Sequence, residues 1–424
     1  MSALQQFITD KTPDGWTTRP FWSLFQRVKF TGFPDEELLS VYRDYGVIPK
    51  SSRDDNHNKA SEDLSNYQLV DKGWLVTNKM KAWQGSIAIS RHRGIVSPAY
   101  YAYKPLSQEH DQFLHYLLRS SNYIALYGRI SKGVRVNQWD LEHEALRNIP
   151  VLLPLYEIQK EIADFLDLET ARIDQLIEKK KKFNSLLSEK RKNTISSAIL
   201  GLENPFNSYT REQVKLKHVV ELISKKVPYS EIDAPYIGLE HIKSWTGEIT
   251  SDNDAEPEGL VSLFRAGDVL FGKLRPNLAK AAMPDFNGVC STEALVLRPQ
   301  KVFGAYLRYA LTEQTFIEDV VGSTYGAKMP RASWDFIGSQ KLKLPGSDSQ
   351  KKIVQHLDLL IEAFDQITKV TDRSIKALEH LKTSLITEAV TGQLDIQKWQ
   401  QRGMTDSRLD KIEEDMEQSK RASA

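Results

Sequence analysis

The apolar and polar positions of this chain fall into two kinds of territory. Between Pro154 and Gly201 there is no proline or glycine, and apolar residues return every seven positions. One row reads Leu166, Ile173, Lys180, Leu187, Thr194 and the next Glu169, Leu176, Phe183, Lys190, Ser197, five of the ten apolar. A second stretch, from Pro345 to Gly392, has the rows Leu357, Phe364, Thr371, Leu378, Leu385 and Leu360, Ile367, Ser374, Leu381, Glu388, seven of the ten apolar. Proline is tolerated in the first turn of a helix and glycine just past its end, so each stretch predicts one long helix. The seven-residue period is that of a coiled-coil seam. At 1.5 Å per residue, about 46 residues make a rod of ~69 Å. A rod of that length with charge on most of its circumference cannot bury itself on one small domain. Two of them in one chain pair most simply with each other, and the order globule, helix, globule, helix favours an antiparallel pair. The plainer alternative is that each helix braces its own globule. Lys180 and Thr371 interrupt both seams at one place, where a kink or a polar register lock fits.

The other territory is short-period. Residues 269–271 read as a buried strand after a turn at Ala266, Gly267 and Asp268, residues 289–297 as another, and 305–321 as a helix. The loop 322–328 follows, then Met329, Pro330 and Arg331. The first block repeats the scheme more loosely, with 130–135 as its counterpart loop. Both blocks read as small α/β domains.

The chain is written twice. Pro154, Gln159, Leu166, Asp174, Leu187 and Gly201 recur 191 positions later as Pro345, Gln350, Leu357, Asp365, Leu378 and Gly392. Upstream the offset drifts. Gly73, Lys79 and Gly94 return after 194 positions as Gly267, Lys273 and Gly288, Phe113 and Tyr116 after 193 as Tyr306 and Tyr309, and Trp139-Asp140 after 195 as Trp334-Asp335. A duplicated chain offers two similar surfaces to a target that is itself roughly two-fold, and duplex DNA is the commonest such target.

Composition narrows the class. A length of 424 residues accommodates two globules and helical connectors. The net charge of +1 attracts no polyanion globally, so any nucleic-acid footprint must be a local patch. A lone cysteine, Cys290, provides neither a disulfide framework nor a cysteine zinc site, and it reads as a small core residue. No apolar run approaches 18 residues and the start lacks a basic-then-apolar signal, so the expectation is a cytoplasmic protein without a membrane partner. The run Lys179 to Lys182 reads as a solvated helix face.

Two kinds of cluster suit DNA. In the stretch 271–277, Gly272 permits close backbone approach, Lys273 and Arg275 can reach phosphates or guanine edges, Asn277 can pair with adenine, and Lys280 follows. Lys79 and Lys81 occupy the matching stretch of the first block, with Arg91 and Arg93 on the next strand. The second kind is the pair of small basic loops. Ser323, Thr324, Tyr325 and Lys328 with Arg331, and Lys132 and Arg135 in the first block, are candidate phosphate contacts through backbone N–H groups, hydroxyls and cations. Catalytic signatures are missing. There is no Gly-x-Gly-x-x-Gly, no Gly-x-x-x-x-Gly-Lys-Ser/Thr and no His-Glu-x-x-His, and Asn204-Pro205-Phe206 reads as a turn.

These residues resemble the DNA-specificity subunit of type I restriction-modification enzymes, over roughly residues 15 to 395. The resemblance rests on the stretch 267–280, the helix opening Pro345 with Gln350-Lys351, the helix ending at Gly392, and the duplicated order of block and helix. It implies two target recognition domains alternating with two long helices that pair as a pseudo-two-fold antiparallel coiled coil. In sequence these are residues 1–153 and 202–344 for the recognition domains, 154–201 and 345–392 for the helices, and 393–424 for a polar tail. The seam would carry Leu166, Ile173, Leu176, Phe183 and Leu187 against Leu357, Leu360, Phe364, Ile367, Leu378, Leu381 and Leu385. The resemblance further implies a non-catalytic subunit reading a bipartite, asymmetric double-stranded DNA sequence. Two adenine-N6 methyltransferase subunits and two motor-nuclease (restriction) subunits would be its partners, and S-adenosylmethionine, ATP and magnesium would bind on those partners. Three other readings remain at this point: an adaptor for a different methylase or nuclease, a coiled-coil scaffold with no DNA role, and an enzyme of unrecognised chemistry.

Overall fold

The computed structural model describes residues 12–401 apart from 44, 54–60, 62, 136–137, 251–256, 258 and 327–328, together with 407–408 and 411–412. The chain divides into two compact units, residues 1–180 with 372–424 and residues 181–371. The division cuts through the middle of both long helices, Tyr156–Leu200 and Ser347–Val390. A unit is therefore one globular block and half of each helix, rather than a block and its own helix.

Within each unit the two half-helices run antiparallel. In the first unit Asp174 of the first long helix accepts from Lys382 Nζ of the second at 2.6 Å, and in the second unit Arg191 of the first helix is paired with Asp365 of the second, so one number rises as the other falls. Residues beyond the helix ends pack back on the other helix, Trp399 edge-on with Phe165 at 6.3 Å and Phe206 on His356 at 5.1 Å. Leu166 and Ile173 are buried with Leu378, Leu381 and Leu385 in the first unit, and Ile195 and Ile199 with Ile353, Leu357 and Ile361 in the second. The helices pass unbroken through Lys180 and Thr371. Thr371 is buried, and its hydroxyl donates to Ile367 O at 2.8 Å.

The predicted seam needs two corrections. Phe183 is 46% exposed and Ile367 37%, while Leu176, Leu187, Leu360 and Phe364 are half-buried. A strict seven-residue row drifts ~20° per heptad around a helix of 3.6 residues per turn. Near the middle, Arg191 and Ser374 are buried instead.

The ends of the long helices are built twice in the same way. The buried side chain of Gln159 donates to Pro154 O at 3.0 Å and accepts from His110 N at 2.9 Å. Gln350 donates to Pro345 O and accepts from Phe303 N, both at 2.8 Å. Each amide so accepted belongs to the residue that precedes a helix of the globule, Asp111–Leu118 or Gly304–Leu311. One carboxamide thus ties the first turn of a long helix to its globule. At the far ends Gly201 and Gly392 both have φ of 69°, a conformation that L side chains resist. Leu202 N and Gln393 N then bond back to Ser197 O and Glu388 O at 3.0 and 2.9 Å, which satisfies carbonyls of the last turn.

Each globule carries an antiparallel four-stranded sheet of one topology. The order is Phe25–Val28, Tyr100–Pro105, Leu75–Asn78, Ile87–Ile89 in the first unit and Val220–Ile223, Ala294–Pro299, Val269–Gly272, Ala281–Ala282 in the second. A two-stranded ribbon, Thr17–Pro20 with Pro150–Leu153 or Arg211–Lys215 with Lys341–Pro345, closes each globule at the root of its long helix. Residues 289–297, expected as one strand, are two strands in different sheets, Gly288–Ser291 and Ala294–Pro299. The expected helix 305–321 is two helices, Gly304–Leu311 and Gln314–Gly322. The break falls at buried Glu313, whose carboxylate caps the second helix through Thr315 N and Phe316 N, both at 3.0 Å. Trp139 and Trp334 are not structural counterparts, because Trp139 is in the strand Gln138–Leu141 and Trp334 opens the helix Trp334–Ser339. Cys290 is buried in the second unit, and desolvation pushes its thiol up to about 12. Among the described residues, no helix is long and apolar enough to cross a membrane.

The tail was expected to be polar. It contains a helix, Ile396–Gln401, whose Trp399 is 2% exposed. Arg408 lies over that indole, 4.5 Å from its centre, and pairs with Glu388 at 3.6 Å. Truncating a buried tryptophan removes its apolar transfer energy and leaves a cavity, so Trp399→Ala should destabilise the first unit by about 3–5 kcal/mol. Denaturant melts of the full chain should show the loss. A midpoint unchanged from that of the parent protein would mean that the tail does not hold the unit together.

Candidate nucleic-acid interface

In the second unit the strand Val269–Gly272 runs out into a loop whose mouth is closed by Gly272 N to Lys280 O at 2.9 Å. Inside it, Arg275 at φ 50° and Ala279 at φ 45° bracket the short turn Pro276–Leu278. Left-handed backbone at non-glycine residues costs about 1–2 kcal/mol each, so the surrounding structure must impose it. Pro276 is buried, and Arg275 N is held by Pro330 O at 2.8 Å. Ala332 N bonds Lys273 O at 3.0 Å, and Tyr325 and Arg331 exchange backbone bonds at 3.1 and 3.2 Å. Two segments some fifty residues apart in sequence, both singled out above, therefore form one surface carrying Lys273, Arg275, Asn277, Tyr325 and Arg331. Arg275, Asn277 and Tyr325 are exposed. Arg331 is gripped by both oxygens of Glu293 at 3.0 Å.

The first unit repeats three bonds of this frame. Asn78 N to Ser86 O at 2.9 Å closes the loop, and the short turn is Ala82–Gln84. Leu141 N bonds Lys79 O at 2.9 Å, as Ala332 N bonds Lys273 O. Lys79 N reaches Ala99 O at 3.4 Å, as Lys273 N reaches Glu293 O at 3.0 Å. The side chains differ. Lys79 Nζ lies 5.2 Å from the centre of the Tyr101 ring, Lys81 is exposed, and Trp83 and Trp139 meet at 4.7 Å.

Several candidates are elsewhere or otherwise engaged. Arg91 and Arg93 follow the strand Ile87–Ile89, whose Ile89 pairs with Leu75, so they lie at the end of that strand pair away from the loop. Arg91 donates to Gln112 at 2.6 Å, and Arg93 pairs with Glu36 and Asp71 at 2.8 and 2.9 Å. Lys280 turns inward to donate to Leu239 O at 2.6 Å, and its burial lowers its pKa. Lys132 pairs with Glu142 at 3.2 Å. In the described residues of the two small loops, the groups expected to hold phosphate are largely spent within the chain. Ser323 and Thr324 spend their amides and hydroxyls on Val320 O and Val321 O, and Tyr325 N is spent on Arg331 O. The counterpart 130–135 is mostly a strand, Ser131–Arg135, paired with Gln138–Leu141. Lys328 and the side chain of Arg135 lie outside the described residues. Sequence reasoning missed Glu293 and the Trp83–Trp139 pair. The available signal for the latter was two tryptophans in otherwise polar surroundings.

Comparison with known proteins agrees with the duplication. The type I restriction modification DNA specificity domain matches this chain twice, at residues 13–184 and 210–377. The specificity subunit of the type I restriction enzyme EcoDI from Escherichia coli is 24% identical, covering 74% of this chain and 78% of its own. The EcoKI specificity subunit from Escherichia coli K12 is 23% identical, with 91% of each chain covered. A solved chain from a study of complex assembly and conformational transition in the type I R-M system has a TM-score of 0.62 at 15% identity, over 90% of this chain and 99% of its own, a likeness of fold. With both globules and most of both long helices inside the matched domains, this chain belongs to the DNA-specificity subunits of type I restriction-modification systems.

Proposed function

We propose that this chain is the non-catalytic DNA reader of a type I complex and that it recognises a bipartite, asymmetric duplex sequence, one half-site per unit. One observation carries the reading: a single backbone frame, with the same loop closure and the same clip to a neighbouring segment, appears in both units and bears different side chains. Like frames present like edges to two half-sites. Unlike side chains, the tryptophans against Arg275, Asn277 and Tyr325, read different bases. Arg275 suits guanine O6 and N7, and Asn277 suits adenine N6 and N7. The lysines supply phosphate contacts that set register without reading sequence. The paired helices supply the surface on which methyltransferase and motor-nuclease subunits dock. S-adenosylmethionine, ATP and magnesium bind on those partners. Sequencing adenine methylation in cells with and without the gene tests the reading. A methylated two-part motif that disappears with the gene supports it, and an unchanged methylome overturns it.

If Lys273 touches a phosphate, Lys273→Ala should weaken binding to all sequences and flatten the dependence of log affinity on log salt by about one unit. Arg275→Ala should instead cost ~1–3 kcal/mol at one base pair of one half-site. Titrations at several salt concentrations, with matched and single-substituted duplexes, separate the two effects. Parent-like affinity and slope in both variants would return the loop to ordinary surface.

Lengthening both helices together should lengthen the spacer between half-sites. A heptad inserted after Lys182 and another after Arg373, positions equivalent under the 191-residue repeat, keep the seven-residue register and add about 10 Å. At ~3.4 Å per base pair the preferred spacer should grow by about three base pairs with both half-sites unaltered. An active double-insertion variant that methylates at the parental spacing contradicts this.

A further inference from the structure

The side chains at the reading surface of the first unit are apolar where those of the second are polar. Trp83 and Trp139 are half-buried and meet at 4.7 Å with their planes tilted by 46°. Among the described residues, neither belongs to a hydrophobic core cluster of the unit. Their contact is with each other, across the loop and the strand Gln138–Leu141. Met80, 44% exposed, lies beside them in the same loop, and its carbonyl accepts from Trp83 Nε1 at 3.1 Å. That bond leaves the indole edge without a free donor for a base and presents Trp83 as an apolar surface. Lys79 and Lys81 flank Met80 in the chain, and Lys132 is on the strand that pairs with Gln138–Leu141. Lys132 is paired with Glu142 and faces Asp140 across the strands, so the cations next to the apolar patch are Lys79 and Lys81, at the place where the other unit offers Arg275 and Asn277.

Scattered apolar residues on a surface are ordinary, whereas a contiguous apolar patch marks a place where something binds. Lysines beside an apolar patch suit a polyanion, and the apolar feature of the major groove of duplex DNA is the C5-methyl group of thymine. We propose that Met80 and the Trp83–Trp139 pair contact a thymine methyl group in the half-site read by the first unit. This rests on the reading of the two loop frames as DNA-facing, and it adds the chemistry by which one of them selects a base. Burying one methyl group in water-free contact is worth about a fourfold change in affinity.

The test uses the full chain with its partner subunits and the duplex that it methylates. Deoxyuridine, which lacks only that methyl group, replaces each thymine in turn. At one thymine of the first half-site, deoxyuridine should weaken binding about fourfold. The affinity ratio for thymine over deoxyuridine at that position should fall to about one in Trp139→Ala and in Met80→Ala, and stay near the parental value in Arg275→Ala. Met80 is exposed, so its variant guards against simple unfolding, and binding to the second half-site serves as the internal reference. A first half-site without thymine, equal affinity at every deoxyuridine position, or an unchanged ratio in both variants overturns the proposal. A complex that binds no duplex specifically overturns the DNA-facing reading itself, so the two failures are distinguishable.

Discussion

Two ion pairs, Asp174 with Lys382 and Asp365 with Arg191, are one contact made twice. Adding 191 to Asp174 gives Asp365, and adding it to Arg191 gives Lys382. Each half of the duplicated sequence therefore supplies an acid that meets the other half's base, the relation that an antiparallel pair of equivalent helices requires. Every other element hangs on this pairing. A 45-residue helix and a 44-residue helix have too little apolar surface to be stable alone. Each is covered by its partner along one stripe and by a globule at each end, one in each unit. The two contacts are not energetically equal. Lys382 is 31% exposed and Arg191 only 8%. The exposed pair contributes little, ~0–1 kcal/mol, whereas a buried guanidinium is costly to leave without its carboxylate.

The second constraint is the joint between helix and globule. Gln159 and Gln350 sit where a long helix, an edge ribbon and a globular helix converge, and each satisfies a backbone group on two of them. Tyr116 adds a bond to Asp167 at 2.7 Å, and Tyr309 one to Asp358 at 2.6 Å, so the attachment repeats at a second point about two turns along. A globule fixed at two points cannot swivel on its helix. The geometry of the reading loops is thus inherited from the long helices.

The parts legible in the sequence were those governed by local rules repeated along the chain. The helix-stopping glycines, the equivalence of Gln159 with Gln350 and the row Leu357, Phe364, Thr371, Leu378, Leu385 follow from spacing alone. Phe183 and Ile367 were misread because a period of seven and a turn of 3.6 residues part company over several heptads. The break at Glu313 was invisible because its signal is a side chain folding back on the next turn, inside an otherwise helical pattern. The candidate DNA contacts sorted for a similar reason. The sequence identifies a cation, while its role depends on what else is within reach: Glu293 for Arg331, Leu239 O for Lys280, and the far end of a strand for Arg91 and Arg93. Trp399 was hidden by the polar residues around it.

The discontinuity of the first unit has a consequence for the order in which the molecule is assembled. Residues 181–371 form a contiguous unit, but the other unit needs residues from both ends of the chain. On the ribosome the contiguous unit can finish while residues after 371 are still being added, and the first globule must wait for its half of the second helix and for Trp399. Closing an unstructured loop of about 190 residues costs roughly 4–5 kcal/mol in chain entropy. The folded contiguous unit removes most of that cost, since both helices leave it already side by side. The contiguous unit thereby acts as the template on which the two-part unit completes its fold.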